Sequence, residues 1–398
     1  MNFLERERVV ILSAVRTPGG KFGGNFKEVS AVSLGIIVAR EAIKRAGLSP
    51  EQIDEAIFGH ARQAGNRPNP ARQILIHSGI PQSRPAFTVN KACASGLKAI
   101  TLGYQSLLLG ENKVVLVGGI ENMSQIPYFL EKARWGFRLG DAPLVDAMYR
   151  DGFFCPLAGK IMGETAEFLA EKYKITRKEQ DEFSFESQMK AKTAMAEGSF
   201  KEEIVPVLIK DSKGNDVFIT QDENPRPDTT LEKLSKLPPV FKEGGTVTAG
   251  NSSGLTDGAA ALILTTEHSA KEFGTPPLAE ILGACAAGVS PLEMGIGPVP
   301  ATLNLLKKLK LSLNDIDLIE INEAFAAQVL ACERELKWDR AKVNIKGGAI
   351  ALGHPIGCTG ARITVTLLYS LLKKGKEVGL ATLCASGGMG MALVLKII

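Results

Sequence analysis

The sequence predicts an α/β protein built from a duplicated unit. Three observations carry this reading. Apolar strand-like runs alternate with amphipathic helical ones, glycines close the helices, and the order of elements in residues 48–119 returns in residues 311–383.

In chain order, "VVILSAV" (9–15) reads as a strand and "AVSLGIIVAREAIKRAG" (31–47) as a helix closed by Gly47. "IDEAIFG" (53–59) is a second strand, "SGLKAITLGYQSLLLG" (95–110) a helix closed by glycine, and "KVVLVGG" (113–119) another strand. Such alternation predicts parallel, buried strands. Further on, "LSLNDIDLIEINEAFAAQ" (311–328) matches "LSPEQIDEAIFGHARQ" (48–63) at Leu-Ser and Ile-Asp, and "TGARITVTLLYSLLKKGKEVGLATL" (359–383) follows the plan of residues 95–119. Between the halves, the charged stretch 171–198 reads as one or two helices and a Pro-rich stretch follows at 222–240, so residues 120–245 read as an insertion carrying binding loops.

The 398 residues are enough for two domains, and 45% hydrophobic with 23% charged residues is the balance of a soluble globular chain. A net charge of +4 without a Lys/Arg run argues against nucleic-acid binding. The N-terminal apolar run is too short for a signal sequence or a membrane span, which predicts a cytoplasmic, non-membrane protein. The six cysteines form no CxxC and no zinc spacing, so no metal site is expected and most should be buried packing residues.

Cys93 is a candidate exception. It lies where the strand-like "FTVNKA" gives way to a helix, and a helix N-terminus favours an anion, lowers a thiol pKa and offers backbone N–H groups. It reads equally as a small buried hydrophobe. His354, in the glycine-dense "GGAIALGHPIGCTGAR" (347–362), is a candidate base for such a thiol, its imidazole left uncovered by glycine; alone it would read as a hydrogen-bonded turn residue. Cys384 stands at a strand-to-glycine-loop junction, where a thiol could move a proton and loop amides could hold an oxyanion. Asn322, beside Glu323 after an apolar strand, could hold a water or a carbonyl, or cap a helix. His60, His77 and His268, with Cys155, Cys285, Cys332 and Cys358, read as structural.

"NKACASGLKA" (90–99), "GGIENMS" (118–124), "GTVTAGNSSGLTDGAAA" (245–261), "NEAFA" (322–326), "GGAIALGHPIGCTGAR" and "LCASGGMG" (383–390), in this order, resemble the thiolases. The resemblance implies two similar βαβαβαββ halves in five αβαβα layers, with residues 1–119 and 246–275 as one half, 120–245 as an inserted loop domain and 276–398 as the other half. It implies reversible condensation of two acetyl-CoA to acetoacetyl-CoA and CoA, or, as the alternative, 3-ketoacyl-CoA thiolysis on longer chains, with CoA thioesters as substrates and no cofactor. Cys93 would be the acylated nucleophile, His354 its activator, Asn322 the holder of a water, and Cys384 the base for the α-proton. Ser253 and Arg226 would contact the pantetheine arm and adenine of CoA, and Phe325 and Met294 would wall the acyl pocket. The resemblance further implies a homotetramer, for which the aromatic stretch 125–153 is the expected assembly loop.

Two positions depart from the family pattern. Ser386 stands for the first glycine of an oxyanion loop, and a positive φ there would cost a serine about 1 kcal/mol. Ile161 stands where members restricted to acetoacetyl-CoA commonly carry histidine, which speaks against a strict short-chain preference.

Overall fold

The computed structural model describes residues 7–398. Its first half contains β1 (Val9–Arg16), α1 (Ala31–Arg45), β2 (Glu55–His60), α2 (Pro70–His77), β3 (Ala86–Val89), α3 (Ser95–Leu108) and β4 (Val114–Glu121). Two helices of the insertion follow, α4 (Met162–Lys172) and α5 (Arg177–Ala196), before β5 (Thr256–Thr266) completes that half. The second half is β6 (Ala279–Gly288), α6 (Pro298–Leu309), β7 (Leu318–Ile321), α7 (Ala326–Leu336), α8 (Thr359–Lys374), β8 (Val378–Ala385) and β9 (Met389–Ile397).

The strands run in the order β7-β8-β9-β6-β1-β5-β4-β2-β3. The halves meet where β1 pairs with β6, through Val10 opposite Glu280 and Ile11 opposite Ala279. The sheet is mixed rather than parallel throughout. The β2/β3, β2/β4 and β7/β8 pairs are parallel, whereas β5 and β9 run antiparallel to both neighbours. The strands expected to be parallel, β1, β2 and β4, do share one direction, since β1 and β4 both run antiparallel to β5 between them; the antiparallel members β5 and β9 are additions to that pattern.

Three cores stack through the molecule. Side chains alternate across β1, so Val10, Leu12 and Val15 face α1 and α2, while Ile11 and Ala14 face a central layer of α3 and α8. That layer packs on Val115, Val117 and Leu262 from one half and on Leu383, Met391 and Leu393 from the other. The outer face of β7–β9 is covered by α6 and α7, giving five layers. Local chemistry fixes the ends of the helices: Ser30 Oγ accepts from Ser33 N at 3.0 Å to start α1, and Gly375 at φ 59° ends α8.

The central helices meet almost backbone to backbone. A Cβ on Gly96 would lie 2.8 Å from Ala361 N, and one on Gly360 would lie 2.3 Å from Leu97 N. These glycines occupy equivalent places in the two repeats, Ser95-Gly96 and Thr359-Gly360. They bring the N-terminal ends of α3 and α8 together, and with them the loops that precede each helix. Helices α4 and α5 of the insertion rest on the second half, with Leu169, Ile175 and Phe183 in its core.

Candidate active site

The chain enters α3 through a knotted turn. Ser95 Oγ accepts from Lys91 N at 2.8 Å and donates to Ala92 O at 2.6 Å, and Asn90 Oδ1 accepts from Ala92 N at 2.9 Å. Ala92 is held at φ 50°, a left-handed conformation that alanine adopts only under constraint. Cys93 therefore sits just ahead of the first helical turn, half-buried, in the wall of a cavity of about 440 Å³. Burial pushes its thiol up, against the lowering effect of Arg62 and of the Ser386 backbone N–H that the sulfur accepts. The thiol is therefore raised rather than acidified as its place before a helix predicts, because desolvation outweighs the Arg62 charge and the backbone donors.

His354 lies in the same wall but is only 7% exposed, so glycine has not left it uncovered. The glycines of its loop serve close packing instead: a Cβ on Gly357 would lie 2.6 Å from Ala61 N. The His354 amide donates to Gly254 O and to Thr256 Oγ1, each at 3.0 Å. Thr359 Oγ1 donates to Pro355 O at 2.9 Å, so it accepts from His354 Nδ1–H at 2.6 Å. This fixes the tautomer and leaves Nε2 as the basic nitrogen, an acceptor. Desolvation, with Arg362 and Arg62 adding repulsion, lowers the imidazole to about 3, so it is neutral at pH 7.

Asn322 is fully buried behind the histidine, with Nδ2 3.4 Å from His354 Nε2 and Oδ1 without a protein partner. It caps no helix, since α7 begins at Ala326. An unpaired buried amide oxygen beside an imidazole is the environment a bound water fits. Glu323, next in sequence, is scaffolding: its carboxylate accepts from Ser187 Oγ at 2.7 Å, Asn344 Nδ2 at 2.8 Å and Ile350 N at 3.1 Å.

Cys384 is the last residue but one of β8 and faces the same cavity, its thiol pushed well up by burial and by the neighbouring Cys93. Ser386 lies in the cavity wall too and is not among the residues with positive φ; Gly387 and Gly388 take those conformations, at 87° and 85°. The expected strain at Ser386 is therefore absent, and its amide remains a donor.

Met294, Phe325, Ser253, Arg226 and Ile161 all reach this cavity, as do Phe241 and Met162. Phe241 packs edge-on to Phe325 at 6.0 Å and needs Gly163, whose Cβ would lie 2.2 Å from the Phe241 ring. Phe241, Thr359 and Arg62 escaped the sequence reading. Thr359 is the repeat counterpart of Ser95, a signal that could have found it, whereas Phe241 and Arg62 sit in no motif. The thiols of Cys332 and Cys358 are buried and pushed up to about 12, as befits packing residues. His60 is buried against Glu121, Nε2 to Oε1 3.1 Å, and His268 pairs with Glu272 at the surface.

Residues 9–268 match the family model "Thiolase, N-terminal domain" and residues 275–397 match "Thiolase, C-terminal domain". The acetyl-CoA acetyltransferase of Syntrophomonas wolfei subsp. wolfei is 51% identical over 392 residues, covering 98% of each chain. Among solved structures, the Bacillus anthracis acetyl-CoA acetyltransferase superposes with a TM-score of 0.96 at 47% identity over 99% of each chain. Human mitochondrial 3-ketoacyl-CoA thiolase in complex with CoA gives 0.95 at 42% over 98% of each. With both family models matched over nearly the whole chain and two thiols lining one cavity with a histidine, the protein belongs to the thiolase family.

Proposed function

We propose that the chain condenses two acetyl-CoA to acetoacetyl-CoA and CoA, reversibly, through an acyl-Cys93 intermediate. The observation that carries this is the convergence of Cys93 from the first half and Cys384 from the second on one cavity, beside a neutral His354. Acyl transfer and C–H deprotonation are separate tasks, and two thiols with one imidazole can divide them.

The protons balance as follows. His354 Nε2 takes the Cys93 proton while the sulfur attacks the thioester carbonyl, whose oxyanion meets the Ser386 N–H. CoA leaves as its thiol with the proton of Cys384. The resulting Cys384 thiolate removes the α-proton of the second acetyl-CoA, with Asn322 and its water opposite the enolate oxygen. The carbanion attacks acyl-Cys93, and the expelled sulfur recovers its proton from His354. Each group is restored, and each step reverses for thiolysis. A high thiol pKa at Cys384 suits it, because its thiolate is then a strong base.

Ser253 and Arg226 would hold the pantetheine arm and adenine, and Met294, Phe325 and Phe241 the acyl group, with no cofactor beyond the CoA thioesters. A second reading, thiolysis of longer 3-ketoacyl-CoA in fatty-acid metabolism, is favoured by one observation, that aliphatic Ile161 lies in the cavity wall. A cytoplasmic homotetramer is the assembly and location we infer. Among the described residues no helix is long and apolar enough to cross a membrane.

Intact mass after mixing with acetyl-CoA tests the proposal. One added acetyl group should map to Cys93 and vanish in Cys93→Ser, because the site cannot bring a hydroxyl into the pKa range of a thiol. An adduct on Cys358, or one that survives the substitution, overturns it.

A further inference from the structure

Arg62 follows the last residues of β2 and lies in the wall of the same cavity as Cys93. Its guanidinium makes one hydrogen bond among the described residues, from Nη2 to Gly152 O at 2.7 Å, and its Nε is buried without a partner. Among the described residues no carboxylate lies within ion-pair distance of it. Glu121, which accepts from the backbone N–H of Arg62 at 3.3 Å, also accepts from Gly357 N at 2.8 Å and lies 3.1 Å from His60 Nε2. Asp151 beyond Gly152 pairs with Arg150. The charge is nevertheless felt at the reacting centre, where it lowers the pKa of both Cys93 and His354.

A half-buried guanidinium without a carboxylate partner, in a wall that also presents Phe153, Ile161, Leu255 and Ile356, is costly to desolvate further. A neutral acyl chain would cover it and offer nothing in return. A carboxylate would pair with its free N–H groups in the forked geometry that guanidinium favours. We propose that Arg62 is the receptor for a carboxylate at the far end of the acyl chain, so that substrates include 3-oxoacyl-CoA thioesters ending in a carboxylate. This rests on the thiolase reading above and adds to it the class of acyl group. The carboxylate takes no part in bond making; it selects the substrate by pairing and disfavours the neutral chain by leaving the cation bare.

The test is steady-state thiolysis of 3-oxohexanedioyl-CoA and 3-oxohexanoyl-CoA, equal in carbon number, with acetoacetyl-CoA as a third substrate. The wild type should favour the carboxylated chain by about ten- to a hundredfold in kcat/KM, as a charge-assisted hydrogen bond allows. Arg62→Met should invert that ratio and Arg62→Lys should restore part of it. A wild type that prefers the neutral chain, or an Arg62→Met ratio equal to the wild-type ratio, overturns the proposal. Should Arg62→Met not fold, the wild-type ratio decides alone. Cleavage of acetoacetyl-CoA without that of the carboxylated substrate sinks the receptor and leaves the thiolase reading standing; no cleavage of any of the three sinks both.

Discussion

At His354, burial outweighs every other influence, and this has two consequences. With its pKa lowered to about 3, the imidazole stays a neutral base across the physiological range, so the pH profile of Cys93 acylation should show no inflection near 6.5. The folded protein also resists protonating it. Stability tied to His354 is thus present above pH 6.5 and lost as pH falls from there towards 3. Urea unfolding at pH 7 and pH 5 should show a smaller loss for His354→Asn than for the wild type, and equal losses would contradict the buried neutral imidazole. Cys384 invites a different experiment. In Cys384→Ser, acetyl-CoA should still label Cys93, because CoA can leave as a thiolate, whereas condensation should fall by orders of magnitude for want of the C–H base. Rapid-quench labelling beside a condensation assay separates the two steps, and equal loss of both would make Cys384 structural.

At the scale of elements, the paired helices α3 and α8 position the chemistry. Gly360→Ala would drive a methyl to 2.3 Å from Leu97 N, which is backbone and has no rotamer to yield. The helices must part, at a stability cost of about 1–3 kcal/mol, and the Cys93 and His354 loops should separate with them. Thermal melts should show the first effect. Acyl-enzyme formation slowed at least as much as stability falls should show the second, and a stable, fully active variant would leave that contact without a positioning role. Much of this was legible in the sequence, since strand and helix patterns set the elements and the repeat set their pairing. The antiparallel strands β5 and β9 were not, because neither belongs to the strand–helix alternation that gave β1, β2 and β4 their common direction. Of the site, the residues in glycine motifs were legible: Cys93, His354, Cys384 and Ser386. Their protonation was not, because desolvation depends on what the rest of the chain lays over them. Arg62 and Phe241 reach the cavity from positions with no local pattern.

For the whole molecule, residues 125–153 pose a question of covering. The base of this loop belongs to the site, since Tyr149, Gly152 and Phe153 reach the cavity. Its outer part does not. Trp135 is 86% exposed and Leu139 97%, with Tyr128, Phe137 and Leu144 exposed beside them, over a short hairpin that pairs Tyr128 with Asp146 and Phe129 with Val145. Arg150 lies over the Phe129 ring at 4.9 Å and pairs with Glu131, so the aromatic surface is edged with charge. An apolar patch of this kind on one protomer is what an assembly surface presents, and Trp with Arg is the composition of interface hot spots. The proposed tetramer places a second copy against it. Trp135→Ala combined with Phe137→Ala should then leave dimers that still form acyl-Cys93, because neither residue reaches the cavity. Light scattering gives the mass directly, and a tetramer of unchanged mass in the double variant would assign this surface to some other partner.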